Sequence, residues 1–179
     1  NKTRDIQTNA KITADFLDLI DDPKIDLIVE AIGGETPAFE YIRKAIDSGK
    51  HVVTANKEVI AKYGPELIKH AVDNGVGIRF EASVGGGIPI LRPLSRDLLA
   101  NDFNKITTII NGTTNYMLTR MSLQNENYSA ALEKSKSLGY AEPDPTADVE
   151  GIDAAYKLAI LSSLAFKVRV RFEEVYVEG

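Results

Sequence analysis

Three short apolar runs, separated by two helical blocks, constrain this chain more than any other feature. Asp26-Leu27-Ile28-Val29-Glu30-Ala31-Ile32 reads as a buried strand that Gly33-Gly34 ends. Thr36 stands where it can cap a helix, with Pro37 at the first helical position and Gly49 just past the end. His51-Val52-Val53-Thr54 reads as the second strand. Helical spacing then continues from Ala55-Asn56-Lys57 to about Asn74, with an interruption expected at Tyr63-Gly64-Pro65. Gly75 closes that block, and Val76 to Phe80 is the third strand. Strand, helix, strand, helix, strand at this spacing predicts βαβ units and a parallel sheet. Ligands of such sheets bind at the carboxyl ends of the strands. Those ends are Ile32-Gly33-Gly34, Thr54-Ala55-Asn56-Lys57 and Glu81-Ala82-Ser83.

The pattern changes near Glu81. Val84-Gly85-Gly86-Gly87-Ile88-Pro89 is the one strongly glycine-rich stretch, and it opens an expected helix to about Leu99. Asn104 to Asn111 reads as a strand, and Asn111-Gly112 as a turn. Thr113 or Thr114 is the expected cap of a helix to about Met121, and Tyr128 to Leu138 is another helix, stopped by Gly139. Lys167 to Glu178 alternates and is rich in β-formers, which predicts a strand or a strand pair. The predicted fold is therefore α/β, a partial Rossmann-type parallel sheet over residues 1–80, followed by an α+β domain over residues 81–179. Upstream, Ala14 to Ile20 has helical spacing and Asp21-Asp22-Pro23 stops it.

Composition removes several functions. The chain has no cysteine, so disulfides, thiolate metal sites and thiol catalysis are excluded. Its two histidines, His51 and His70, have no matching carboxylate pattern, which argues against a histidine-held zinc or a triad. A net charge of −5 without a basic stripe argues against nucleic acid. No apolar run reaches the ~18 residues of a membrane span, and the first residues lack the apolar core of a secretory signal.

Chemistry concentrates between Gly139 and Phe166, where a loop dense in acid and proline runs into a helix that is apolar on almost every side. Asp153 and Lys157 stand four residues apart near its start, so one helical turn sets them on one face. A helical wheel places Asp153, Lys157, Ile160 and Leu164 in one sector about 60° wide. A charged pair on such a helix requires a partner or a task, because unpaired charge in low dielectric is costly. A cleft that admits a polar substrate is one such task; a solvated surface ion pair is the plainer alternative.

These motifs together resemble homoserine dehydrogenase. They are DLIVEAIGG at 26–34, TANKE at 54–58, FEASVGGGIPI at 80–90, NGTTNYML at 111–118, GYAEPDPTADVEGIDAAYK at 139–157 and EG at 178–179. The glycine fingerprint G-x-G-x-x-G expected at the start of a dinucleotide domain does not precede Asp26, so the resemblance is to a segment of that enzyme, with the pyrophosphate cradle and the source of NAD-against-NADP preference lying elsewhere.

The resemblance implies a cytoplasmic, NAD(P)-dependent enzyme that interconverts L-homoserine and L-aspartate 4-semialdehyde and pairs as a homodimer. It implies that Lys157 is the general acid and base, with Asp153 beside it. Glu142, Asp153, Gly112 and Thr113 match substrate contacts, although Thr113 also reads as a plain cap. Lys57, Gly33, Gly139 and Thr54 match the cofactor side. Lys57 is awkward as a simple surface residue, because a helix N-terminus repels cations unless an anion answers it. Gly139 also reads as a helix C-cap. Glu81 and the carbonyls of Val84, Gly86 and Ile88 match a monovalent-cation (sodium) site, against the plainer reading of a tight glycine crossover. Asp148 is expected to cap the helix that follows, or else to support the site. Two other readings remain: a non-catalytic binding or dimerisation module in which the Asp153–Lys157 pair is purely structural, and a related semialdehyde or sugar-type oxidoreductase.

Overall fold

A computed structural model of the protein describes residues 8–179, and the polar residues 1–7 lie outside the described residues. The parallel sheet forms as expected. Strands β1 (Leu27–Glu30), β2 (His51–Thr54) and β3 (Ile78–Arg79) lie in the order β1-β2-β3, with Leu27 opposite His51 and Val52 opposite Ile78. A short helix, α1 (Leu17–Ile20), precedes them. Helices α2 (Ala38–Asp47) and α3 (Lys57–Asp73) make the two crossovers. Ala38, Ile42, Ala45 and Ile46 of α2 are fully buried and join Ile28 and Val52 in the core. Each of these helices presents one apolar stripe to the strands, which is how a βαβ unit buries its sheet.

Several local expectations are corrected. Thr36 does not cap α2; Pro37 occupies the cap position and no side chain answers the first N–H groups. Helix α3 runs unbroken through Pro65. A proline inside a helix removes one hydrogen bond and crowds the preceding turn, but here Val59, Ile60, Gly64, Leu67 and Ala71 are buried along the same stripe, and that packing holds both halves in line. Strand β1 is covered on one face only: Ile28 is buried, while Val29 on the other face is 67% exposed.

Past the sheet, α4 (Gly112–Gln124), α5 (Tyr128–Ser137), α6 (Thr146–Val149) and α7 (Ile152–Ala165) follow. The helix expected to about Leu99 ends earlier, and most of it is a π-helical turn at Pro93–Asp97. Neither expected strand forms a ladder among the described residues. Residues 104–110 have no regular structure, and the last segment folds into a 3-10 turn at Phe172–Glu174. There Glu174 closes back on the Arg171 N–H and guanidinium, and Phe172 packs on Tyr156 with ring centroids 4.3 Å apart. Local bonds of this kind win where no neighbouring strand offers a partner. Helix α7 packs against α3, with Ile160, Leu161 and Ala165 in the same core as Ile60 and Leu67. That contact brings the two halves of the chain together and positions the site.

Candidate active site

The first residues of three helices converge on one cleft of about 340 Å³. Its walls include Lys57 from α3, Gly112 and Thr113 from α4, Asp153 and Lys157 from α7, and Glu142 and Asp148 from the acidic loop and α6. Two asparagines fix the helix starts. Asn56 Oδ1 accepts the Val59 N–H at 3.0 Å and caps α3, while its Nδ2 donates to the carbonyls of Ile32 and Gly34 at 3.0 and 2.7 Å. Asn111 Oδ1 accepts the Thr114 N–H at 2.8 Å and caps α4. The expectation that Thr113 or Thr114 caps α4 is therefore corrected. Thr113 Oγ1 instead donates to the Tyr140 carbonyl at 2.7 Å and ties the start of α4 to the loop that carries Glu142.

Asp153 is 3% exposed and holds both lysines. Its Oδ2 accepts from Lys157 Nζ at 2.6 Å, and its Oδ1 lies 2.6 Å from Lys57 Nζ. Asn111 Nδ2 also donates to Oδ2, at 2.9 Å. Burial by itself pushes the Asp153 carboxyl up, but the hydrogen bonds from Lys157, Lys57 and Asn111 outweigh it and hold the group below its ordinary value. Asp153 thus remains a carboxylate and anchors two cations at the cleft floor. Lys157 makes a second bond to the Ile110 carbonyl at 2.8 Å, which leaves one of its three N–H donors without a partner among the described residues. Lys57 is the first residue of α3, where the helix dipole disfavours a cation, and Asp153 is the anion that answers it.

Other expected residues take different places. Glu142 is exposed at the rim and forms no ion pair among the described residues. Asp148 does not cap α7, whose cap position is Gly151; it accepts from Asn111 Nδ2 at 2.7 Å and so supports the site. Gly139 follows the end of α5 with φ +78 and donates its N–H to the Lys136 carbonyl, a helix-ending geometry that favours glycine. Gly33 is exposed, and a Cβ there would meet nothing within 4 Å, so the end of β1 is open to a close approach. Thr54 is 1% exposed, with its hydroxyl given to Glu30 and accepting the Asn56 N–H. It shapes the strand end from inside.

The Glu81 carboxylate accepts the main-chain N–H groups of Ile90, Leu91 and Arg92 at 2.7, 2.9 and 2.9 Å. That explains why the next helix begins there. The carbonyls of Val84, Gly86 and Ile88 accept no main-chain hydrogen bond among the described residues, and Oε2 of Glu81 keeps an acceptor position.

A second polar network joins α3 and α7 to the end of β1. Lys62 Nζ lies 2.7 Å from both Glu35 and Glu58, Tyr63 donates its hydroxyl to Glu35 at 2.5 Å, and Tyr156 donates to Glu58 at 3.4 Å. Lys62, through its bonds first to Glu35 and then to Glu58, is held protonated well above the ordinary lysine range. The Lys62 bond lowers the Glu35 carboxyl, and Glu35 in turn raises the Tyr63 phenol.

Reading the residues alone missed what the two asparagines do. The signal available was modest: asparagine is a leading N-cap, and each stands directly before a helix. The bridge from each amide nitrogen to distant oxygens had no local signature.

Comparison with known proteins places these features. The family model described as homoserine dehydrogenase matches residues 89–179, and that described as the homoserine dehydrogenase NAD binding domain matches residues 2–81. A homoserine dehydrogenase of Bacillus subtilis (strain 168) is 49% identical over 94% of this chain, which spans 39% of that relative. The solved homoserine dehydrogenase of Thiobacillus denitrificans superposes with a TM-score of 0.90 at 50% identity, covering 93% of this chain and 39% of that one. A hyperthermophilic archaeal homoserine dehydrogenase solved in complex with NADPH superposes with a TM-score of 0.81 at 33% identity, covering 96% of this chain and 55% of that one.

Proposed function

The chain belongs to the homoserine dehydrogenase family, and we propose that it carries the substrate side of an NAD(P)-dependent enzyme interconverting L-homoserine and L-aspartate 4-semialdehyde. One observation carries this reading: a buried carboxylate, Asp153, holds two lysines at the floor of an open polar cleft. A pair that only stabilised the fold would have no need of a cleft beside it.

The substrate is a small amino acid with an ammonium, a carboxylate and a reacting carbon. Glu142 and Asp148 supply negative charge for the ammonium. The N–H groups of Gly112 and Thr113, with no acceptor among the described residues at the positive end of a 13-residue helix, suit the carboxylate. The nicotinamide cofactor, when bound, supplies or accepts the hydride. The open surface at Gly33 and the strand end at Lys57 fit its flat ring end. Lys157 gives a proton to the carbonyl oxygen as negative charge grows there in aldehyde reduction, and takes it back in alcohol oxidation. Asp153 aims Lys157 through the 2.6 Å bond, and Lys57 adds a second cation beside the developing oxyanion.

Glu81 with the carbonyls of Val84, Gly86 and Ile88 is proposed to hold a monovalent cation such as sodium, since those carbonyls have no other main-chain partner among the described residues. A cytoplasmic homodimer is proposed too. Residues 104–110 have no ladder partner among the described residues and expose Ile109 at 78%, which suits sheet pairing with a second copy. No helix among the described residues is long and apolar enough to cross a membrane.

The test joins this chain to the remaining segments of the Bacillus subtilis relative and follows NAD(P)H absorbance with L-aspartate 4-semialdehyde. Turnover that disappears in Lys157→Ala supports the proposal. Turnover that is equal in parent and variant removes it.

A further inference from the structure

We propose that Asn111 is a positioning residue of this site, whose amide sets the direction of the Asp153 carboxylate and couples it to Asp148. This rests on the dehydrogenase reading for its kinetic consequence, and on geometry alone for its structural one. Asn111 is 8% exposed, and its side chain uses every polar position it has. Oδ1 accepts the N–H and the hydroxyl of Thr114 at 2.8 and 2.9 Å. Nδ2 donates to Asp148 Oδ1 at 2.7 Å and to Asp153 Oδ2 at 2.9 Å.

An N-cap needs only the oxygen. Serine, threonine and aspartate fill that role about as well as asparagine. None of them offers two N–H donors on one atom, and that is what lies between the two carboxylates. Without those donors Asp148 and Asp153 would face each other across the cleft as like charges. Asp153 would also keep only its two lysine contacts, one to each oxygen, and lose the neutral donor that fixes the plane of the carboxylate between them. The chain reaches this geometry because capping locks the asparagine side chain: once Oδ1 is tied to α4, the nitrogen has one direction left. Asn56 uses the same device at α3, where its nitrogen holds the carbonyls of Ile32 and Gly34.

The test separates cap from positioner. Asn111→Ser keeps a capping oxygen and removes both donors. Asn111→Asp keeps the cap and adds a third carboxylate. Thermal unfolding of the chain is expected to shift down by a few degrees in Asn111→Ser and further in Asn111→Asp, where like charges meet, with both variants folded at about 25 °C. Carbon-13 titration of the aspartate carboxyls in the same chain should move Asp153 upward in Asn111→Ser, and further in Asn111→Asp. In the enzyme joined as above, kcat should fall roughly 10- to 100-fold, with KM for NAD(P)H within about twofold, as expected when a reacting group is misplaced by about 1 Å.

An unchanged Asp153 titration together with an unchanged kcat in Asn111→Ser would overturn the proposal and leave Asn111 a simple cap. Loss of folding in both variants would also overturn it, since cap and positioner would then be inseparable. If the parent enzyme itself fails to turn over, the dehydrogenase reading falls, and the carboxyl titration alone decides the role of Asn111.

Discussion

Lys57, the first residue of α3, lies 2.6 Å from Oδ1 of Asp153, near the start of α7. The contact ties the parallel sheet to the second half of the chain through one carboxylate, whose other oxygen serves Lys157. The two lysines are therefore electrostatically coupled, and a change at Asp153 reaches both.

Replacing Lys157 by methionine should keep the fold, since the long apolar stem still packs on α7. Turnover of the joined enzyme should fall by about 100- to 10,000-fold, the range for loss of a positioned general acid. NAD(P)H absorbance at saturating substrate measures it.

Asp153→Asn removes the anion shared by two ammonium groups. The expected cost is about 3 kcal/mol at neutral pH, at the low end for a broken buried pair because Lys57 is 41% exposed. The folded carboxyl lies below its ordinary value of 3.8. Its contribution to stability is therefore complete above about pH 5 and is lost as pH falls through the lowered value. Urea unfolding should show a constant gap between parent and variant from pH 5 to 8 that narrows below about pH 4.

Glu35→Gln should bring the Tyr63 phenol down toward the ordinary value of 10.0, because Glu35 is what raises it. Ultraviolet titration of the tyrosines, with Tyr63→Phe as the difference reference, reads this directly. An unmoved titration would break the proposed link between Tyr63 and Glu35.

Glu81→Ala should destabilise the chain by about 2 kcal/mol in sodium-free buffer, because three main-chain N–H groups lose their acceptor. If Glu81 also helps hold a cation, added sodium raises Tm in the parent and not in the variant. Equal Tm in sodium and in a large organic cation would remove the metal site and leave the cap.

Gly151→Ala and Gly139→Ala separate strain from crowding. Both glycines have positive φ, +73 and +78, which costs about 1–2 kcal/mol for alanine. At Gly151 the new Cβ would also meet Val177 at 2.7 Å, whereas at Gly139 nothing lies within 4 Å. Chemical denaturation should show the larger loss at Gly151.

Much of this protein was set by its order of residues. The apolar runs at β1 and β2, the stripes of α2 and α3 and the four-residue spacing of Asp153 and Lys157 are short-range patterns, and short-range patterns are what steric and burial rules act upon. The awkward cation at the start of α3 even announced that an anion had to come from elsewhere. Tertiary structure alone decided which anion it is, that α3 continues through Pro65, that Glu174 and Phe172 fold the last segment into a turn, and that two capping asparagines also bridge distant oxygens. The Lys57–Asp153 contact and the bridge from Asn111 to Asp153 join groups 42 or more residues apart, and α7 packing on α3 and beside α4 sets them; the others rest on burial or on neighbours that no single window of sequence shows.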